Sequence, residues 1–149
     1  RHTRLLTVTG VQTCALPISF FSSPTSPADN PAQKTLHDAF NAEYTEGADK
    51  AFVDQTYDAT MLALLAVEKA GSADRAKIAA ALREVASAPG EKVGPGDWAK
   101  AKALIKEGKD IDYDGAGGAY DFDGNGDVTG YIGKFVVDGT TYKQIAVMQ

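Results

Sequence analysis

The sequence has one cysteine, Cys14, and two histidines, His2 and His37. A single cysteine cannot form an intrachain disulfide, so no disulfide framework is available to this chain. That absence leaves the redox compartment open, because many exported proteins also lack disulfides. His37 lies in a polar context beside a predicted apolar helix stripe. We expect it to be a surface residue, since a catalytic histidine would need a partner group nearby.

Basic residues are also scarce. Lys and Arg number 15 against 20 Asp and Glu, which gives a net charge of −5 and a pI near 4.9. A nucleic-acid-binding surface needs an excess of positive charge, so neither DNA nor RNA is an expected partner. No apolar run approaches the roughly 20 residues that span a bilayer. The 149 residues are enough for one domain with a hydrophobic core.

The first 18 residues are interpreted as foreign to the fold. They begin with basic residues as a signal peptide does, but threonines, a glycine and a glutamine interrupt the apolar stretch that such a peptide needs. Residues 8–18, VTGVQTCALPI, match without a mismatch the translation of a nucleotide string that resembles a common sequencing adapter. We therefore predict that residues 1–18 are disordered. Residues 19–149 are then expected to be the C-terminal part of a longer protein.

The longest apolar run lies in residues 51–71, AFVDQTYDATMLALLAVEKAG. Ala, Leu and Met favour a helix, and Gly71 is suited to end it because glycine adopts a positive φ without a Cβ clash. The apolar residues wrap around more than one face, so we expect this helix to be covered on two sides. Residues 51–53 predict a short strand that feeds the helix, which indicates an α/β fold.

The remaining segments predict further helices and a C-terminal hairpin. Residues 19–22 predict the end of a strand, and Asn30 with Pro31 predicts a helix start. Two more helices are expected at residues 74–86 and 97–108, with a loop at 87–96 between them. The acidic, glycine-rich residues 110–130 are predicted to be irregular. Strands are predicted at 131–137 and 140–148, joined by a turn at Asp138 and Gly139.

Part of the acidic segment fits a calcium loop of the EF-hand type. Position 12 of that loop would be Ile132, where a bidentate glutamate belongs, and neither flank predicts the required helix. A surface β-turn accounts for the same residues, because Asn, Asp and Gly supply the positive-φ positions of turns. A calcium-dependent extracellular module stays open as the alternative. Its loop positions 1, 3, 5, 6, 7 and 9 would be Asp121, Asp123, Asn125, Gly126, Asp127 and Thr129.

The acidic segment also raises the question of a carboxylate active site. Asp110, Asp112 and Asp114 precede the turn and add to its acids. Nothing in the sequence supplies an apolar pocket that would raise the pKa of one of them, or a base with an orienting partner. We therefore expect neither enzymatic activity nor a cofactor, and a small acidic hydrolase is the remaining alternative.

Four stretches, in the same order along the chain, resemble the C-terminal third of branched-chain-amino-acid-type substrate-binding proteins. These are the type I periplasmic binding proteins that serve ABC importers. The stretches cover about residues 22–143, and the colinear set rather than a single motif carries the resemblance. They are DNPAQKTLHDAFNAEY, AFVDQTYDATMLALLAVEKAGSAD, KIAAALREVASAPGEKVGPGDWAKAKALIKEGKDIDYDGAGG and YDFDGNGDVTGYIGKFVVDGTTYK.

The resemblance implies a two-lobed α/β protein that closes on a small ligand by hinge motion. This chain would be a partial type I fold, mainly the C-terminal return through the first lobe, with helices plus a C-terminal β-hairpin. Phe52 matches a family position that lines the ligand pocket, with core packing as its alternative role; Gln55 and Tyr57 are further candidates. The implied function is non-catalytic binding of branched-chain or other amino acids, or related small solutes. The implied location is periplasmic or extracellular, with an ABC permease as partner.

Overall fold

Helices and two small sheets make up the computed structural model, which describes residues 20–45 and 47–149. The prediction of a foreign, disordered segment at residues 1–18 lies outside these described residues. Within them, no helix combines the length and the apolar character that a membrane crossing requires. The elements are β1 (Phe20–Thr25), α1 (Pro31–Glu43), α2 (Val53–Ala70), α3 (Arg75–Ala86), β2 (Glu91–Val93), α4 (Trp98–Lys106), β3 (Ile111–Gly115), β4 (Gly118–Ala119), β5 (Tyr131–Asp138) and β6 (Thr141–Met148).

The first sheet has the strand order β1–β5–β6 and is antiparallel throughout. Its central strand, β5, pairs with β1 along the register from Phe20–Val136 to Thr25–Tyr131. The turn between β5 and β6 contains Gly139, whose φ of 62° is left-handed. The predicted C-terminal hairpin is therefore confirmed, and the predicted strand at residues 19–22 extends further, to Thr25.

The second sheet has the order β2–β3–β4, with β2 and β3 parallel. Two predictions fail here, because residues 91–93 and 111–115 were expected to be loop. In β3 the side chains alternate between the core and the surface: Ile111 and Tyr113 are buried while Asp112 and Asp114 are half-buried. Ile111 and Tyr113 do form an apolar pattern of period two. It is hard to recognise in the sequence, because the residues between them are aspartates and the segment around them resembles a loop.

The core lies where α2 packs against α3, α4 and β3. Its most enclosed side chains include Leu65 and Ala66 of α2, Val85 of α3 and Tyr113 of β3, each fully buried. Helix α2 reaches the core through residues spaced three or four apart, as an amphipathic helix does. The remaining core members are Met61, Leu62, Ala81, Ala86, Val93, Ala101, Leu104 and Ile111.

Helix α2 and the residues before it differ from the prediction in two ways. Leu64 is 48% exposed and Val67 is 44% exposed, so the described residues cover this helix on one side rather than two. The predicted strand at residues 51–53 is absent: residues 51 and 52 form a turn, and Val53 is the first residue of the helix. A left-handed backbone at Phe52, with φ 68°, breaks the extended conformation that a strand requires.

The start of α1 and the end of α2 follow the predicted capping chemistry, whereas Ser72 was expected to cap α3 and does not, because that helix begins only at Arg75. The Asn30 side chain accepts a hydrogen bond from the Ala32 amide, and Pro31 is the first residue of α1. Gly71 ends α2 with a φ of 55°. Helix α3 is capped by Asp74, whose carboxylate accepts from the Lys77 amide.

Two connections join the sheet of β1, β5 and β6 to the helical part of the chain. One is residues 26–30, between β1 and α1, and the other is residues 120–130, between β4 and β5. The chain thus crosses between the two parts in both directions, and the space between them lies beside the start of α2.

Leu65 and Leu64 allow the burial argument to be tested on adjacent residues of one helix. Leu65→Ala removes a fully buried side chain and is expected to lower the free energy of unfolding by about 2–5 kcal/mol. Leu64→Ala changes an exposed position and is expected to change it by less than about 0.5 kcal/mol. Urea unfolding followed by far-ultraviolet circular dichroism measures both, and equal losses would contradict the packing described.

Candidate functional site

A cavity of about 300 Å³ lies between the two parts of the chain. Its walls come from β1 and the connection after it, from α1, from the turn before α2 and the first turn of α2, and from β5 and β6. Aromatic side chains supply the apolar part of the lining: Phe21, Phe52, Phe135 and Tyr142. Polar side chains, among them Ser26, Gln33, His37, Asp54 and Gln55, supply the remainder.

Phe52 lies on the rim of this cavity, immediately before α2. Its side chain is 55% exposed, so core packing, the alternative role for this residue, is not what the structure shows. Its φ of 68° is uncommon for a bulky residue and costs about 1–3 kcal/mol. Such strained residues persist where the surrounding structure holds them, and they cluster at ligand sites.

Gln55 and Tyr57, the other two predicted site residues, occupy different places. Gln55 lines the cavity and donates from Nε2 to the Thr25 carbonyl oxygen, 3.2 Å away. Tyr57 lies instead in an apolar groove between α1 and α2, and its hydroxyl accepts from the Gly96 amide at 3.4 Å. The structure therefore brings Phe52 and Gln55 together in the cavity, and Phe52 and Tyr57 together in the groove, so that Phe52 borders both.

Asp54, in the first turn of α2, is the buried carboxylate of the cavity wall. Its Oδ2 accepts from the Ser26 hydroxyl at 2.5 Å and from Gln33 Nε2 at 2.7 Å. Its Oδ1 lies 2.8 Å from His37 Nε2. His37 is therefore not the unpartnered surface residue that the sequence led us to expect: about three-quarters of its side chain is covered, and it pairs with Asp54.

Asp58, one turn further along α2, is fully buried and accepts four hydrogen bonds. Tyr113 OH and the Ala116 amide donate to Oδ1 at 2.8 and 3.0 Å. The Gly117 amide and Tyr120 OH donate to Oδ2 at 2.6 and 2.8 Å. These bonds fasten α2 to β3 and to the turn after it, so they determine where Phe52 and Gln55 lie.

Burial is the largest influence on the pKa values of Asp58, Tyr113 and Tyr120. It raises the pKa of Asp58 above the ordinary 3.8, against the opposing effect of the four donors. Burial, helped by the neighbouring Asp58 carboxylate, also raises the pKa of Tyr113 and Tyr120 well above the ordinary 10.0. The hydroxyls of Tyr113 and Tyr120 therefore stay protonated and remain donors across neutral pH.

Asp54 and Asp58 were missed as site residues, although the sequence carried a signal. They lie four residues apart and continue the helical spacing of the buried residues Met61, Leu62 and Leu65. Two carboxylates on the apolar stripe of a helix must find hydrogen-bond partners when buried. Their partners are residues that are distant in the sequence. The pattern therefore shows that hydrogen-bond partners are needed but does not identify them.

The acidic segment at residues 121–127 forms the predicted turn, not a calcium loop. Asp123 Oδ1 accepts from the amides of Asn125, Gly126 and Asp127, each at 2.8 Å, so the loop's own backbone occupies this carboxylate. Ile132 lies in strand β5, where an EF-hand would need its exiting helix. Among residues 20–45 and 47–149, no group of three or more His, Cys, Asp or Glu side chains is arranged to hold a metal ion.

Comparisons with known proteins agree with this architecture. A family model described as "Periplasmic binding protein" matches residues 7–131. A solved leucine-binding protein, LivK of Thermotoga maritima, superposes with a TM-score of 0.59 at 26% identity, over 87% of this chain and 30% of that one.

A curated relative matches over a shorter stretch. The chemotactic signal transduction system substrate-binding protein BasB of Halobacterium salinarum is 34% identical over 88 residues. This match covers 58% of the present chain and 21% of the relative. The chain thus corresponds to about a fifth of BasB and less than a third of LivK.

The Asp58 cluster makes a first prediction for this site. Asp58→Asn replaces one acceptor oxygen with an amino group, so at least one buried N–H donor loses its acceptor. The free energy of unfolding is expected to fall by about 2–4 kcal/mol. Asp110→Asn is the matched control, because Asp110 is exposed and its ion pair with Lys69 is worth less than about 1 kcal/mol. Similar losses in both variants, measured by urea unfolding, would contradict the cluster.

The two tyrosines make a second prediction, for alkaline pH. Their pKa values are raised in the folded state, so above about pH 10 the unfolded chain releases these protons first. The stability they contribute is complete below pH 10 and falls above it, by up to about 1.4 kcal/mol per pH unit for each tyrosine. Urea unfolding at several pH values measures the slope. Tyr113→Phe should remove one tyrosine's share of it, and an unchanged slope would contradict the assignment.

Proposed function

Because the chain belongs to the periplasmic binding protein family, we propose that it is part of a receptor that captures a small solute for an ABC importer. The family match carries this proposal, and the cavity beside the start of α2 supports it, because both apolar and polar side chains line it. In this proposal residues 19–149 are the C-terminal part of the receptor. The receptor works in the periplasm or at the outer face of the cell.

The proposed ligand class is an amino acid with an apolar side chain. LivK is a leucine-binding protein and is similar to 87% of the present chain, which supports this class. The cavity wall agrees with it: aromatic rings of Phe21, Phe52 and Phe135 would face the apolar part of the ligand. The amide of Gln55 would face a polar part.

The proposed mechanism is capture by closure of two parts of the protein, without bond chemistry. Two connections, at residues 26–30 and 120–130, are the places where the described chain passes between its two parts. Rotation about a few residues in such connections is how hinged proteins close. A ligand seated against Phe52 would contact both parts, because Phe21 and Phe135 belong to the sheet and Phe52 precedes α2. Differential contact of this kind shifts a protein towards its closed form.

The test uses the complete receptor encoded by the gene that contains this chain, titrated with leucine, isoleucine and valine by calorimetry. We expect micromolar or tighter binding to the wild type. Phe52→Ala, in the present numbering, is expected to weaken it about tenfold or more, because burying a phenylalanine against a ligand is worth about 1.5–3 kcal/mol. Phe20→Ala is the matched control, since Phe20 is 68% exposed and lies outside the cavity.

Two results would count against the proposal. One is the absence of any thermal shift of the complete receptor with these or other amino acids. The other is an equal loss of affinity in the two phenylalanine variants, which would place the ligand elsewhere. The 149-residue chain by itself is expected to show no binding, because much of the receptor that LivK represents has no counterpart in it.

A further inference from the structure

We infer that Asp54 is a positioning residue, which holds the connection after β1 against the start of α2 and thereby places Phe52 and Gln55 in the cavity. The inference rests on the proposed function for the meaning of that cavity. Its structural part stands on the Asp54 contacts, since this carboxylate in α2 is bonded to two other segments: to the connection through Ser26, and to α1 through Gln33 and His37.

The bonding of Asp54 indicates positioning rather than direct ligand binding. Its side chain is only about 10% exposed, and both oxygens already accept hydrogen bonds. Gln33 and His37 are four residues apart and so present their donors from one face of α1. A ligand in the cavity would therefore meet a mostly buried carboxylate, both of whose oxygens already accept hydrogen bonds.

Ser26 is the most informative partner, because it lies in the connection through which the chain leaves β1. Its side chain is buried, and its hydroxyl donates to Asp54 at 2.5 Å. The neighbouring Thr25 is held from both sides: its carbonyl accepts from Gln55, and its hydroxyl donates to Gln144 of β6 at 3.2 Å. Movement of the connection relative to α2 must therefore change the Ser26–Asp54 bond.

Asp54 and Asp58 anchor α2 to different neighbouring segments. Asp58 fastens the helix to β3 and the turn after it, on the core side. Asp54 fastens it to the connection and to α1, on the cavity side. Loss of Asp54 should thus disturb the junction around Phe52 while the core remains packed.

Hydrogen exchange of the complete receptor without ligand, followed residue by residue by NMR, tests the structural part of the inference. In Asp54→Asn, exchange of the Thr56 amide, which bonds to the Phe52 carbonyl, is expected to accelerate about tenfold or more. The Ile78 amide in α3 serves as the internal reference and should not change. Asp38→Asn is the matched control, because Asp38 lies on α1, is exposed and pairs only with Lys34 among the described ion pairs.

Ser26 variants separate positioning from the loss of a negative charge at the helix start. Ser26→Ala keeps Asp54 and should still accelerate exchange of the Thr56 amide several-fold, whereas Ser26→Thr keeps the hydroxyl and should restore the wild-type rate. These variants also decide the matter if Asp54→Asn does not fold. Unchanged exchange in Ser26→Ala, or acceleration that Ser26→Thr fails to reverse, would overturn the inference.

The complete receptor provides the second arm, with leucine as the probe. Ser26→Ala is expected to weaken leucine binding about tenfold, and Asp38→Asn to leave it unchanged. If exchange responds as expected but leucine affinity is the same in all variants, the positioning role is overturned while the proposed function stands. If the wild-type receptor binds no amino acid, the proposed function fails. The positioning role of the Asp54 contacts is then decided from the exchange data alone.

Discussion

The structure depends on a buried carboxylate near the start of its central helix. Asp58 accepts two tyrosine hydroxyls and two backbone amides, and these four bonds compensate a group that could not otherwise be buried. A β-carbon at residue 115 would lie 2.5 Å from this carboxylate, which explains why glycine occupies that position. With α2 fastened in this way, the turn that carries Phe52 has a defined place beside the sheet of β1, β5 and β6.

A second carboxylate, Asp54, gives the cavity its organisation. The two acids differ in their surroundings: Asp58 faces β3 and a glycine-rich turn, whereas Asp54 faces a serine, a glutamine and a histidine from segments that border the cavity. One secondary-structure element thus joins the core to the candidate site.

The chain belongs to the periplasmic binding protein family and spans less than a third of LivK. Its helices cover one side of the second sheet, while apolar side chains such as Leu64 and Val67 of α2 and Ile145 of β6 remain exposed. LivK and BasB are both several times longer than the matched part, so such faces have room for the additional segments of a longer protein. The cavity lies at the boundary of the two described parts, where contacts from both can meet one ligand.

Local chemistry determined much of what could be read from the sequence. Helix α2 itself, the cap at Asn30, the stop at Gly71 and the C-terminal hairpin each depend on residues close together in the chain, and each was predicted. Tertiary structure decided the strand at residues 111–115, the left-handed Phe52 and the partners of Asp54 and Asp58. Those features depend on contacts between residues up to 62 positions apart, as for Asp58 and Tyr120, and no local pattern records such a contact.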